Sequence, residues 1–502
     1  MFLLLLGVLL VAGLVHQFWW RRRGLPPGPI PLPLVGNALG FLTKERFEDQ
    51  FFKWKQEHGD VYTIFLGPEP IVTINDYDLM QASIHANGDD YADRAAMEAF
   101  DIATRGGIYG VIDTSGEIWR EQRRFSLKVL RDFGLSKNRM EERVLEEFQT
   151  IFENINKDIS AGVVEHDFHR HTDIATGSVI NVLVNGYRFT TEGHQKEFYD
   201  LKDVTEEMMK SFADPFLNIA ATSKTVAKLP IFRDRLAAAG RRFKKIFDYL
   251  DGIIEEHLKL NDYSNDSFEP QDYVDAWLLE ARKQEAAHGK NHHYTRIQLV
   301  NMCFDLWFAG QETTSATMTW ALAFLIRQPE VQEKMHEELD RVIGSDRLIT
   351  MSDKTDLVYI QAVIMEVQRT ANIVGQNVPR RTTREVEVAG FRLPKGTAIV
   401  PQVSVLMIDP KHFPEPKRFK PERFIDANGK LKRADHLIPF SLGKRQCLGE
   451  GLARMELFLF VANLLNQYKF LPGKEPPTLR KQNGGASLGT APYRCRVERR
   501  HQ

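Results

Sequence analysis

Between Thr295 and Pro329 the chain carries some thirty residues that are apolar on nearly every side, Met302, Phe304, Leu306, Trp307, Leu322 and Phe324 among them. Thr295-x-x-Gln298 has the form of a capping box, and Pro329 marks the far end. At 1.5 Å per residue the stretch predicts a helix of roughly 50 Å. A helix with no polar face has to be surrounded, so it should run through a core. Asp305 and Glu312 within it argue against a membrane span. Near its middle, Ala309-Gly310-Gln311-Glu312-Thr313-Thr314 is poor helix sequence, because threonine hydroxyls compete for backbone carbonyls. The helix is expected to open locally there.

The second constraint is Phe440-Ser-Leu-Gly443-Lys-Arg445-Gln-Cys447-Leu-Gly449, followed by an apolar run from Leu452 to Leu465 that reads as a buried helix. Cys447 then sits at or near a helix N-terminus, where the dipole and free N–H groups favour a thiolate. Arg445 is expected to bring a fixed positive charge beside the sulfur. Such a thiolate could serve as a nucleophile, a redox thiol or a soft metal ligand. The chain has three cysteines, Cys303, Cys447 and Cys495, which fits a reducing compartment and not a disulfide scaffold.

No repeat and no low-complexity linker interrupts the 502 residues after position 40, so one large unit is expected despite the length. Lys and Arg number 66 against 67 Asp and Glu, a balance that excludes a dedicated nucleic-acid binder. Residues 1–20 are apolar and end in Trp19-Trp20 before Arg21-Arg22-Arg23, which reads as an uncleaved transmembrane anchor with its arginines on the cytoplasmic side. Residues 21–40, basic and rich in proline, read as a stiff spacer, with the main body over 41–502.

Within that body, Val61–Phe65 with Ile71–Ile74, and Val386–Leu393, read as hairpins. Trp119 and Arg123 share one face of a helix, and so do Glu366 and Arg369. Arg120, Arg124 and Lys128 make a basic side suited to an acidic partner. His166, His169, His171 and His194 are scattered without a metal-ligand spacing, so no metal site is expected of them.

Phe-x-x-Gly-x-Arg-x-Cys-x-Gly, matched from Phe440 to Gly449, resembles the haem-binding signature of the cytochrome P-450 monooxygenases, and Gly449–Phe460 resembles the animal microsomal family 2 group. The resemblance extends over the whole chain. It implies a mainly α-helical prism with a small β-rich region and a long central helix over haem b, with Cys447 as the iron ligand. It further implies that Trp119, Arg123, Arg94, Arg380 and Arg445 bind the cofactor. Glu312 and Thr313 would be the acid–alcohol pair that delivers protons to the dioxygen under reduction. Glu366, Arg369 and Arg423 would form a structural lock upstream of the cysteine loop. Phe308, Ala309, Val374, Val378 and Gly485 would line the substrate space, Phe308 narrowing it where relatives carry a small residue.

The reaction implied is insertion of one atom of O2 into a small hydrophobic substrate such as a fatty acid, a steroid or a foreign compound. Electrons would come from NADPH through a reductase, with cytochrome b5 as a possible second donor, at the endoplasmic reticulum membrane. A haem-thiolate isomerase of lipid peroxides and a non-enzymatic haem sensor are the alternatives. Thr313 and its acid speak against both.

Overall fold

The computed structural model describes residues 12–13, 15–16, 19–33, 35–41, 46–135, 138–212, 217, 220–221, 224–265, 267–483 and 488–501. The helices of eight or more residues are α1 (Phe47–His58), α2 (Glu98–Arg105), α3 (Gly116–Leu130), α4 (Asn138–Ser160), α5 (Phe168–Asn185), α6 (Glu192–Phe212), α7 (Pro230–Leu260), α8 (Tyr273–His288), α9 (Arg296–Arg327), α10 (Pro329–Val342), α11 (Val358–Ala371) and α12 (Glu450–Gln467). The strands are β1 (Val61–Leu66), β2 (Glu69–Ile74), β3 (Asp93–Arg94), β4 (Arg380–Arg381), β5 (Val386–Val388), β6 (Phe391–Leu393), β7 (Ala398–Pro401), β8 (Tyr468–Pro472), β9 (Lys481–Asn483), β10 (Leu488–Thr490) and β11 (Cys495–Arg499).

Helix α9 is the rod expected from its composition, and α5, α7, α11 and α12 pack against it. Its largest side chains, Trp307 and Trp320, are each 1 % exposed. The N-terminal cap is half of the expected box. The Thr295 hydroxyl accepts from the Gln298 N–H at 3.4 Å. The Gln298 side chain, however, turns to the backbone of Gly110, accepting from its N–H at 3.1 Å and donating to its carbonyl at 3.3 Å. Nor does the helix open at Gly310: it is α-helical throughout. Thr313 and Thr317 donate to the carbonyls of Ala309 and Thr313, each at 2.8 Å, so the hydroxyls bond within the turn without breaking it.

The β-rich part is a five-stranded sheet of order β1-β2-β7-β4-β3 with three separate strand pairs. Both expected hairpins form, β1 with β2 and β5 with β6. The register of β3 on β4 sets Arg94 opposite Arg380, which places two arginines side by side at the sheet edge. The proline-rich segment is not a free spacer. Thr63 N–H donates to the Pro27 carbonyl at 2.9 Å, and Gly36 bridges to Leu66, so the segment lies against β1. A Cβ on Gly28 would stand 1.9 Å from the Thr63 carbonyl oxygen, which shows how close the two backbones run. The anchor expected over 1–20 falls mainly outside the described residues. Among those described, no helix is long and apolar enough to cross a membrane.

Candidate functional site

A cavity of about 340 Å³ separates α9 from the loop that carries Cys447. The loop turns through Gly443, at φ +71°, where a Cβ would meet the Ile84 carbonyl at 2.5 Å. Cys447 N–H donates to the Phe440 carbonyl at 3.0 Å, and Gly449 then caps α12. Cys447 lines the cavity and is exposed, unlike Cys303 and Cys495, which are buried. Burial pushes the Cys447 thiol up, against the opposing pull of the Gly449 backbone and Arg123. The thiolate therefore does not come from the helix terminus alone. A bound metal ion would supply the charge that strips the proton.

Arg445 does not stand beside the sulfur as expected. Its guanidinium lies over the Trp119 ring, 3.9 Å from the centroid. It donates to the carbonyls of Ala92 at 2.6 Å, Val111 at 3.2 Å and Thr114 at 2.5 Å. Val111 and Thr114 belong to a loop that α9 itself holds. Asp305 accepts from the N–H groups of Val111 at 2.7 Å and Ile112 at 2.9 Å, and from Arg105 at 2.5 Å. A Cβ on Gly110, at φ +81°, would stand 2.2 Å from the Asp305 carboxylate.

Arg94, Arg123 and Arg380 complete a ring of guanidiniums with Arg445 in the wall of the same cavity. Arg123 donates to the Gln446 carbonyl at 2.6 Å, and Arg380 to that of Leu442 at 2.8 Å, so both grip the cysteine loop. Arg94 donates to the Ile112 carbonyl at 2.9 Å. Burial and mutual repulsion depress Arg94, Arg380 and Arg445 to about 10, about 9 and about 8. Arg380 Nη1 and Trp119 Nε1 are buried without a hydrogen-bond partner. Buried donors left unmet beside clustered cations call for an anion. A flat cofactor with two carboxylates and a thiolate-ligated iron, such as haem b, fits this wall.

Thr313 and Ala309 line the cavity from α9, and Val374 and Val378 line it from the segment after α11. Gly485 lies outside the described residues. Two other residues stand outside the wall, Glu312 and Phe308, and of these Phe308 was expected in it. Glu312 is not in the wall: its carboxylate pairs with Lys202 of α6 at 2.7 Å, and Asp173 lies 3.3 Å from the same ammonium. Burial raises the Glu312 carboxyl while Lys202 pulls it back. Phe308 also misses the wall. Its ring stacks on Phe304 at 5.6 Å and 10°, and Phe304 in turn packs against Phe243 and Phe247 of α7. The phase of an unbroken helix carries Phe308 round to that side.

Glu456 of α12 is a site residue missed in the sequence reading. It lines the cavity and burial pushes it up to about 8, with Thr314 as its hydrogen-bonding partner. A lone carboxylate inside the Leu452–Leu465 run was the available signal. Glu366, Arg369 and Arg423 meet away from the cavity wall. The Arg369 guanidinium donates twice to Glu366, each at 2.8 Å, and Arg423 donates once at 3.2 Å.

A family model described as Cytochrome P450 matches residues 26–497. Cytochrome P450 2H2 of Gallus gallus is 34 % identical over 460 residues, covering 91 % of this chain and 90 % of that protein. Cytochrome P450 2C16 of Oryctolagus cuniculus is 34 % identical, covering 95 % and 94 %. Cytochrome P450 2B19 of Mus musculus is 34 % identical, covering 96 % and 95 %.

Proposed function

The chain belongs to the cytochrome P450 family, and we propose that Cys447, Trp119, Arg94, Arg123 and Arg380 hold its haem, with Arg445 behind them, while Thr313, with Glu312 behind it, governs proton delivery. The protein is a haem-thiolate monooxygenase: haem b, when bound, would supply the redox chemistry by which one atom of O2 enters a small hydrophobic substrate and the other leaves as water, with two electrons from a redox partner and two protons. The observation that carries the residue assignment is the ring of buried guanidiniums around the cavity that Cys447 lines. Cys447 would ligate the iron, and Arg94, Arg123, Arg380 and Trp119 would meet the carboxylates of the cofactor. Arg445 acts one step back, clamping the Ala92–Thr114 backbone beneath Trp119. Glu366, Arg369 and Arg423 would fix the segment that leads into the cysteine loop.

Thr313 presents its hydroxyl to the cavity while donating to Ala309. Its oxygen can accept a hydrogen bond from water in the cavity, and rotation away from the Ala309 carbonyl would free its one hydrogen to be handed on as the oxygen takes a proton from that water. Its position favours oxygen activation over peroxide rearrangement or passive haem sensing. Thr313→Val, nearly isosteric, is expected to keep consuming O2 while releasing hydrogen peroxide. Product per NADPH should fall at least about tenfold, since a positioned proton donor is worth more than that. Unchanged coupling across several substrates would remove Thr313 from the mechanism.

The substrate class is a fatty acid, steroid or foreign hydrophobic compound, supported by the apolar residues Leu306, Ala309, Val374 and Val378 in the wall. The stacked Phe308 belongs to the core under α7 by its contacts. Phe308→Ala is therefore expected to cost about 3 kcal/mol, the low end for Phe→Ala because the ring is half-buried. Denaturant titration reads the cost, and product analysis should show the parent's site of oxidation. A fully stable variant that oxidises a new position would return Phe308 to the substrate space.

Electrons are proposed to come from NADPH through a cytochrome reductase, with cytochrome b5 as a second donor. The exposed basic residues Arg120, Arg124 and Lys128 on α3 support an acidic partner there. An anchor over 1–20, with Trp19 and Trp20 exposed next to Arg21–Arg23, supports residence on the cytoplasmic side of the endoplasmic reticulum membrane.

A further inference from the structure

We infer that Asp158, His166 and His171 form a zinc-class cation site where the end of α4 meets the start of α5. None of the three lines the haem cavity. Asp158 stands two residues before the end of α4, and His171 lies in the first turn of α5. His166 sits in the connection between them, held on both sides by backbone: its N–H donates to the Cys495 carbonyl at 2.8 Å, and the Cys495 N–H donates back at 3.1 Å. One ligand atom from each side chain lies within 4.8 Å of the other two.

The buried imidazole is what separates this group from a chance cluster. His166 is 2 % exposed, and its Nδ1 has no hydrogen-bond partner. That nitrogen faces Asp158 Oδ2 at 3.7 Å, too long for a hydrogen bond. Tetrahedral zinc, with bonds of about 2.0–2.2 Å, sets neighbouring ligand atoms roughly 3.3–3.6 Å apart. Small side-chain rotations therefore close the three donors on one ion. The Asp158 side chain is 43 % exposed, which leaves an entry path and a fourth position for water. Two imidazoles and one carboxylate suit Zn²⁺ better than the hard cations.

The other such group among the described residues, His257 with Asp272 and Asp275, lacks this feature. His257 Nε2 bonds to Asp272 at 2.9 Å and Nδ1 to the Ile253 carbonyl at 2.8 Å. Asp272 caps α8 through the Asp275 N–H at 2.8 Å. Asp272 holds His257 in its protonated form, raised to about 9 despite burial, so the pair is an ionic helix cap and has no lone pair to offer.

A cation at the first group would join α4 to α5 and, through the His166–Cys495 bridge, to β11. The test is equilibrium dialysis of the purified holoenzyme against micromolar ZnCl2, with bound metal counted by elemental analysis. Wild type should retain one zinc per chain. Loss of a ligand should cost more than the roughly 10–100-fold typical of an outer-shell partner. Asp158→Asn and His171→Gln should accordingly each weaken binding more than about 100-fold, and His257→Gln should bind as wild type. Haem content and the reduced carbon-monoxide spectrum, unchanged in all three, show that the fold is kept. Asp158→Asn is isosteric and half-exposed, so it separates metal loss from misfolding even if a histidine variant fails. Wild type without stoichiometric zinc, or variants that bind it equally well, would overturn the site.

Discussion

Cys447→His is expected to lose the strongly red-shifted Soret band of a reduced carbon-monoxide haem thiolate, and monooxygenase turnover should fall to background. The argument is one of access as well as chemistry. Of the three cysteines, Cys447 alone lines the cavity. Cys303 is 1 % exposed within α9, where burial holds its thiol far above the usual range. Cys495 is buried in the strand that pairs with His166, and burial pushes it up to about 12. Neither can reach a metal ion in the cavity without unfolding the element that carries it. A soft thiolate is also not replaced by imidazole, which donates differently to iron and leaves it with another spectrum. A Cys447→His protein that kept the thiolate band would force one of the buried cysteines into the ligand role and would refute the reading of this loop.

The features legible in the sequence were those set by short-range chemistry. The bounds of α9 follow from a cap at Thr295 and the proline at 329, and the structure begins and ends the helix beside those residues. The runs Val61–Phe65 with Ile71–Ile74, and Val386–Leu393, marked both hairpins. What sequence could not show was where long side chains go once the chain is folded. Arg445 finds its acceptors at Ala92, Val111 and Thr114, more than 330 positions away, so its departure from the Cys447 sulfur had no local signal. The Lys202 partner of Glu312 lies 110 positions earlier, so that ion pair had no local signal either. The Asp158–His166–His171 group has no repeating spacing, and the bridge that immobilises His166 comes from the far C-terminal strand.

Glu366→Ala should be the most destabilising single change outside the cavity. Glu366 and Arg369 are both 0 % exposed, and one carboxylate serves two guanidiniums and the Lys420 N–H at 2.8 Å. Removing it leaves Arg369 buried beside Arg423 with no counter-charge, although the Met407 carbonyl still accepts from Arg369 at 2.7 Å. Breaking a buried pair in this way costs about 3–5 kcal/mol. Against a typical total of about 5–15 kcal/mol, that removes roughly a fifth or more of the stability. The damage is expected to show as lost haem retention as well, because Arg369 and Arg423 tie the Met407–Phe424 segment that leads to the cysteine loop. Glu366→Gln keeps the shape and part of the hydrogen bonding, so its loss should be smaller. A Glu366→Leu, Arg369→Leu double variant removes both buried charges at once and should be less damaged than Glu366→Ala alone. The measurement is the fraction of chain that still binds carbon monoxide after a fixed heat challenge. If the double variant lost as much as the sum of its single changes, the triad would be three independent contacts and not one coupled lock.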